Sequence, residues 1–387
     1  MFPDLAEQLR KREQQGLLRR RRILQSPQAS HITIDGCGYL AFCSNDYLGL
    51  ANHPQLIEAA CEGAMRYGVG AGASHLINGH SAAHHDLEQA LAGFTGFPQA
   101  LLFSTGYMAN IGVVTALAGR EDAIFADKLN HASLNDAALL SRARFIRYPH
   151  LDLKTLENRL ASTKARRKLV ISDAVFSMEG DSVPIPELLA LCEQYQAILL
   201  LDDAHGFGVL GKQGRGSLFQ TDSPSNHSPN LVYMATLGKA AGVSGAFVAA
   251  QWDVIETLIQ SARSYIYTTA TPPLLAHALL ASLQLIEHED WRRDRLRQHI
   301  AQLKQGLQPL PWPLLPSVTP IQPLLIGDSK EAVRVSERLR ERGILVPAIR
   351  PPTVPQGTAR LRISLSATHR PDDIRQLVEA LHELAAS

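Results

Sequence analysis

Along the chain, short apolar runs alternate with longer stretches in which apolar positions recur every three or four residues. Between about residues 51 and 280 the short runs are 100–103, 123–126, 144–148, 169–172, 198–201, 231–235 and 245–250. Runs of this length bounded by polar turns predict strands, and amphipathic stretches such as 153–165 and 185–195 predict helices between them. That rhythm predicts an α/β fold with a mainly parallel central sheet and helices on both faces. Ligands of such folds bind beyond the carboxyl ends of the strands. The residues after each run therefore carry the candidate chemistry.

The flanks read differently. Residues 1–25 predict a helix with Leu5, Leu9, Leu17 and Leu18 on its apolar side, ended by Ser26-Pro27. Residues 32–34 and 39–42 predict a two-stranded element around the turn Asp35-Gly36. Past 280 come a charged helical stretch at 283–305, a linker containing Pro309, Pro311, Pro313 and Pro316, and strand-like 321–326. A helix near 330–342, a strand at 360–364 and a helix at 372–384 complete a small C-terminal α+β domain. The expected organisation is thus 1–50, 51–282 and 283–387. The Ser-, Pro- and Asn-rich stretch 221–229 reads as a surface loop, and no internal repeat is found.

Composition narrows the class. The chain has 387 residues, 45% hydrophobic and 19% charged, with 38 Lys+Arg against 37 Asp+Glu. A net charge of +1 gives no global attraction to nucleic acid or anionic lipid. No apolar run approaches the ~18 residues of a membrane span, and the first residues lack the apolar core of a secretory signal. A cytoplasmic protein that binds neither membrane nor nucleic acid is expected. The four cysteines, Cys37, Cys43, Cys61 and Cys192, include no C-x-x-C pair, which argues against a disulfide scaffold or a zinc site. Arg19-Arg20-Arg21-Arg22 point about 100° apart on a helix, so one or two face a substrate while the rest are solvated. His80, His84 and His85 offer one i,i+4 pair without a third ligand, and read as a helix-start face rather than a metal site.

The chemistry sits after the runs. Asp202-Asp203-Ala204-His205-Gly206 follows one of them, a set that could bind a metal, serve acid/base catalysis, hold a cationic ring or simply cap the next element. Thr236-Leu237-Gly238-Lys239 follows another, and a lysine among small residues after a buried strand suits covalent chemistry better than solvation. Ser104-Thr105-Gly106-Tyr107 opens a helix, as an N-cap or a phosphate cradle. Asp127 with His131, and Asp173 with Ser177, follow two more. Each signal alone is weak. Jointly, a phosphate cradle, a carboxylate and a lysine after different strands suit one cofactor, pyridoxal 5′-phosphate.

Three separated motifs, Ser44-Asn45-Asp46-Tyr47-Leu48-Gly49-Leu50, Asp202-Asp203-Ala204-His205-Gly206 and Thr236-Leu237-Gly238-Lys239, resemble those of the α-oxoamine synthases. These are fold-type I pyridoxal-phosphate transferases, and the resemblance runs over nearly the whole chain. The segment Ala348-Ile349-Arg350-Pro351-Pro352-Thr353 resembles the branch that condenses L-alanine with a pimeloyl thioester in biotin biosynthesis. The resemblance implies that Lys239 attaches the cofactor and carries the proton, Asp202 holds the pyridine nitrogen protonated, and His205 contacts the ring oxygen. His131 is implied to stack on the ring and contact substrate, Gly106, Tyr107 and Thr236 to hold the phosphate, and Ser177 to lie near the ring oxygen. Arg350 and Asn45 are implied to hold a substrate carboxylate, an amino acid's in the case of Arg350, with Arg19 and Thr353 as further substrate contacts. Thr268 and Thr269 resemble a segment reaching a partner subunit's phosphate, so a homodimer is implied. The acyl carrier is left open between CoA and a carrier protein.

In Gly68-Val69-Gly70-Ala71-Gly72-Ala73-Ser74-His75, relatives commonly carry arginine or more glycine near His75. The nearest alternative is a related synthase taking glycine or serine with another acyl-CoA, against which the Arg350 segment argues. A cofactor-binding regulator would need a DNA-binding module, for which some 25 residues before the first strand are too few.

Overall fold

The computed structural model describes residues 3–14, 17–19, 21–221 and 228–386. Strands β1 (His31–Ile34) and β2 (Cys37–Ala41) pair antiparallel across Asp35 and Gly36. Their φ values of 51° and 80° are those of the tight turn whose twist matches a hairpin, and Asp-Gly is the dipeptide that tolerates them.

The centre is a seven-stranded sheet of β3 (Gln99–Phe103), β4 (Ala123–Asp127), β5 (Arg144–Tyr148), β6 (Lys168–Asp173), β7 (Ala197–Asp202), β8 (Leu231–Thr236) and β9 (Ala246–Ala250). Its spatial order is β3-β9-β8-β7-β6-β4-β5. All seven runs expected from the sequence are its strands. Successive residues feed opposite faces, as the two-residue strand period requires. Leu199 and Leu201 belong to one apolar cluster and Leu200 to the other, and Phe125 is separated in the same way from Ile124 and Ala126. Both faces are therefore covered, and the strands read as unbroken apolar runs. Each fully buried leucine of this kind contributes about 2 kcal/mol.

β9 runs antiparallel to both β8 and β3. An antiparallel neighbour needs no crossover helix, so β8 and β9 are joined by a short loop that contains Lys239. That loop is pinned by Leu237 N–H on Gly245 O (2.9 Å), Val243 N–H on Leu237 O (3.1 Å) and Gly242 N–H on Lys239 O (2.9 Å). Gly242 has φ 73°, and a Cβ there would stand 2.6 Å from the carbonyl carbon of Leu50. Glycine lets the lysine loop lie directly on the Asn45–Leu50 segment.

The C-terminal third holds β10 (Ile321–Gly327), β11 (Ile344–Leu345), β12 (Ala348–Ile349) and β13 (Ala359–Ser364). β10, β13 and β12 form an antiparallel sheet, whereas β11 crosses to the hairpin and pairs parallel with β2. Helices Ser329–Glu341 and Pro371–Ala385 stand where the sequence puts them.

Two expectations need correction. The first helix spans Pro3–Gln14, and Leu17, Leu18 and Arg19 are not helical. Leu5 and Leu9 call for a further apolar residue near position 12 or 13, where the chain has arginine and glutamate. Of the arginine run, Arg20 lies outside the described residues. The expected single helix at 283–305 is two helices, Pro273–His288 and Asp290–Leu307, separated at Glu289. The first begins ten residues earlier, at two prolines suited to a helix start. Residue 282 thus falls inside a helix. Among the described residues no helix is long and apolar enough to cross a membrane.

Candidate active site

Three neighbouring strands, β4, β6 and β7, each end in an aspartate, and the three differ in how the structure handles their charge. Asp127 accepts from His150 Nδ1 at 3.0 Å, and Asp181 takes the other ring nitrogen at 3.0 Å. Burial works against charging that imidazole, but the two carboxylates win and raise its pKa to about 10. Asp173 is fully buried beside Asp202, so burial first and its neighbour's charge second raise its pKa well above the usual carboxylate range. It accepts the His131 N–H at 2.7 Å. Asp202 accepts from two neutral donors, Asn110 Nδ2 at 2.7 Å and Ala204 N–H at 3.0 Å. Of the three it is the carboxylate poised to meet a cation brought by a ligand.

Asp203, the next residue, points to the opposite side of the strand end. It holds Ser217 N–H at 2.7 Å, Ser217 Oγ at 2.6 Å and the Tyr233 hydroxyl at 2.8 Å. Burial raises its pKa to about 7. Of the two carboxylates in the motif, one faces the site and the other ties down a loop.

Lys239 Nζ lies 2.8 Å from His205 Nε2, and His205 Nδ1 lies 2.7 Å from the Tyr47 hydroxyl. That hydroxyl is 3.1 Å from Asn45 Oδ1, on which both terminal nitrogens of Arg362 converge at 3.3 Å. With Lys239 donating, one consistent direction follows. His205 accepts on Nε2 and donates from Nδ1 to Tyr47, and Tyr47 donates to Asn45. Burial, then the Lys239 and Arg362 charges, hold the His205 pKa well below its ordinary value, so its ring is neutral. Burial also lowers the Lys239 pKa to about 8, although Asp202 and Asp173 pull it upward.

The helix Gly106–Leu117 starts beside this chain. Its N-cap Thr105 accepts the Met108 N–H through Oγ1 at 3.1 Å, and Ala109 N–H already bonds Thr105 O at 3.0 Å. The Gly106 and Tyr107 amides are the first-turn donors left for a ligand. The Tyr107 hydroxyl donates to Asp136. Thr236 Oγ1 donates to Gly245 O at 3.1 Å. His131 caps the helix Ala132–Ser141 by accepting Ser133 N–H on Nδ1 at 3.3 Å, which leaves the neutral ring's proton on Nε2.

Gly106, Tyr107, His131, Asp202, His205, Thr236 and Lys239 line one cavity of about 180 Å³, with Ser133, Asp173, Ala204 and Met234. The donor set fits pyridoxal phosphate. A buried amine of lowered pKa, a carboxylate with neutral partners and two open helix amides meet there, and Asn110 keeps Oδ1 buried without a protein partner. Ser177 is not among the lining residues, and its carbonyl accepts Arg362 Nε at 2.6 Å. Asn45 reaches the site through Tyr47 and Arg362.

Arg19, Arg350 and Thr353 line a different cavity, of about 500 Å³, with Arg12, Leu17 and Leu18. The substrate residues expected from the sequence are therefore split between two places. Tyr47, Asn110, Asp173 and Arg362 are site residues to which the sequence reading assigned no role. For Asp173 and Arg362 the sequence holds a signal that went unused: an aspartate ending each of three buried strands, and Arg360 and Arg362 sharing one face of a short strand. The histidines also need correction. His84 and His85 do begin the helix Ala82–Thr95, but His75 arrives from the preceding turn as a third member beside His80 and His84.

The family of class I and II aminotransferases matches the chain over residues 38–381. An 8-amino-7-oxononanoate synthase from Nitrosomonas eutropha is 70% identical over 385 residues, covering 100% of both chains. Among solved structures, serine palmitoyltransferase from S. paucimobilis with bound PLP–myriocin aligns at a TM-score of 0.92 and 28% identity, over 100% of this chain and 97% of that one. An 8-amino-7-oxononanoate synthase from Francisella tularensis aligns at 0.78 and 33% identity, over 89% of this chain and 97% of that one.

Proposed function

The chain belongs to the α-oxoamine synthases of the class I and II aminotransferase family, and on that premise we propose that it condenses L-alanine with a pimeloyl thioester to give 8-amino-7-oxononanoate for biotin. The observation that carries this is the 70% identity over 385 residues with an 8-amino-7-oxononanoate synthase. The higher TM-score of serine palmitoyltransferase accompanies only 28% identity, and reflects a fold shared by synthases of different substrates. In the net reaction a bond forms between the alanine Cα and the acyl carbonyl carbon. The thioester C–S bond breaks and the leaving thiolate takes a proton, the alanine carboxylate departs as CO2, and the Cα takes up a proton in its place.

Pyridoxal phosphate, when bound, supplies a protonated pyridine ring that accepts the electron pair released at the alanine Cα. Asp202 keeps the ring nitrogen protonated, and Asn110 and the Ala204 amide fix that carboxylate. Gly106 and Tyr107 amides with the Thr236 hydroxyl, once it turns from Gly245 O, would hold the phosphate, and His205 would lie against the ring oxygen, with Ser177 nearby. Lys239 would anchor the cofactor, and its amine, when free, would take the alanine Cα proton. A pKa of about 8 makes it an effective base near neutral pH. His131 turns its Nε2–H to the cofactor and the substrates.

Asn45 and Arg362 receive the alanine carboxylate, since the long 3.3 Å contacts of Arg362 to Asn45 leave its fork free to re-aim. Arg19, Arg350 and Thr353 receive the distal carboxylate of the pimeloyl chain, in a cavity whose three arginines favour an anion. A homodimer belongs to the same reading. Exposed Val69, Ile77 and Tyr267 support it, on segments joined by the Ala270 N–H bond to Ala73 O. So does a cytoplasmic location, where the four free cysteines stay reduced. Thiol release from pimeloyl-CoA and from a pimeloyl carrier protein, measured with L-alanine, glycine and L-serine, tests the reading. Preference for L-alanine is expected, and faster release with glycine or serine would return the chain to another branch.

A further inference from the structure

Three histidines spaced five and four residues apart, none of them lining the lysine cavity, converge. One ligand nitrogen from each of His75, His80 and His84 lies within 4.8 Å of the other two. His75 and His80 face each other through Nδ1 atoms 3.0 Å apart, a separation at which at least one must present a lone pair. Each ring is independently oriented. His75 stacks on Tyr265 with centroids 4.9 Å apart and planes 13° from parallel. His84 donates Nε2–H to Thr271 O at 2.8 Å, which leaves the lone pair on Nδ1, where it accepts Ser81 N–H at 3.1 Å. His80 turns its Nε2 toward Glu88 Oε2, 3.8 Å away.

We propose that His75, His80 and His84 form a binding site for one borderline divalent cation of the zinc class. Three imidazoles and a water are a ligand set Zn²⁺ takes in tetrahedral geometry, whereas Mg²⁺ and Ca²⁺ seek oxygen ligands. At Zn–N distances of about 2.0–2.1 Å, tetrahedral nitrogens stand roughly 3.3 Å apart, so the His75–His80 gap opens by a few tenths of an ångström. Metal-bound histidines characteristically donate their other N–H to a carbonyl or carboxylate, and Thr271 O and Glu88 already stand behind His84 and His80. The metal displaces both the Ser81 N–H and the Ser81 hydroxyl, 3.1 and 3.0 Å away, from His84 Nδ1. Burial lowers all three pKa values, that of His75 to about 4, and neighbouring rings add to this at His75 and His80. Exposed His80, its side chain 30% accessible, provides the entry.

The test is equilibrium dialysis of the cofactor-loaded protein against micromolar Zn²⁺, with bound metal counted by elemental analysis. Wild type and His85→Ala, which removes an adjacent ring outside the group, should hold one tight Zn²⁺ per chain. His80→Ala should weaken that binding at least tenfold, since even losing the group behind a metal-bound histidine costs about 10–100-fold. His75→Asn should do the same, and thermal midpoints without metal show whether each variant is folded. Less than one tight Zn²⁺ per wild-type chain would overturn the proposal, as would His80→Ala binding like wild type. Neither result depends on which acyl donor or amino acid the enzyme takes.

Discussion

The two cavities assigned to chemistry and to substrate recognition are built from different material. The lysine cavity is lined from the carboxyl ends of β6, β7 and β8, the ends of two helices and a pinned loop, with hydrogen bonds fixing nearly every polar group. The arginine cavity is lined by the irregular residues Leu17–Arg19, the last turn of the first helix and the segment around the two-residue strand β12. Reacting atoms need placement to a fraction of an ångström, which strand ends backed by a buried sheet supply. A flexible acyl chain ending in a carboxylate needs only a cationic mouth of adequate reach. Long side chains on adjustable segments are sufficient for that.

The contrast breaks most severely at Lys239. Lys239→Ala should lower turnover at least about 10³-fold, because both the cofactor anchor and the base are lost. Borohydride should then fix no cofactor to the chain, and fixation at another lysine would move the site. Asp202→Asn comes next. A carboxylate about 4 Å from a cation contributes roughly 4 kcal/mol at an effective dielectric near 20. At ~1.36 kcal/mol per unit this is about three pKa units on the ring nitrogen. Exchange of the alanine Cα proton in deuterated buffer, at matched cofactor occupancy, should fall by about two to three orders of magnitude. Near wild-type exchange would remove Asp202 from that role.

The lysine cavity was also the more legible of the two. Strands buried on both faces are unbroken apolar runs, so all seven were readable, and with them the positions just beyond their ends. Asp-Gly fixed the hairpin for the same local reason. The direction of β9 was not readable, since parallel and antiparallel strands share one side-chain period. Nor were β11 and β12, whose two residues carry no pattern. The separation of Arg350 from Lys239 depends on how distant segments pack, and so does the arrival of His75 beside His80. Arg362 was hidden by its strand, where a buried arginine needs the partners Ser177 O and Ser364 Oγ to be tolerated.

Separating the two arginines sharpens the comparison. Arg350→Ala should weaken the acyl thioester about 10–100-fold, the equivalent of a charged hydrogen bond of roughly 1.5–3 kcal/mol, with little change for alanine. Arg362→Lys keeps the charge but loses the fork, and should weaken alanine instead. Measured KM values for each substrate decide it. A raised alanine KM in Arg350→Ala would join the two cavities into one functional site and give Arg350 the amino-acid carboxylate.

The smallest effect falls on the seam between the regions. Arg362 grips the Ser177 carbonyl and Arg360 pairs with Glu179 at 3.1 Å, so β13 holds the 177–181 loop from one side. His150 holds it from the other, through Asp181, while anchored to the end of β4 by Asp127. Its folded pKa of about 10 exceeds the unfolded value near 6.5. Its contribution is therefore complete below about pH 6.5 and disappears as pH rises through about 10. The side chain is 23% exposed, so solvent screening trims the effect. His150→Gln should lower unfolding free energy by about 1.5 kcal/mol at pH 6, the size of one charged hydrogen bond. Wild type and variant should converge by pH 10 in denaturant titrations. A constant difference across that range would mean that His150 acts through packing on Phe176, whose ring it meets edge-on at 4.4 Å, and not through its charge.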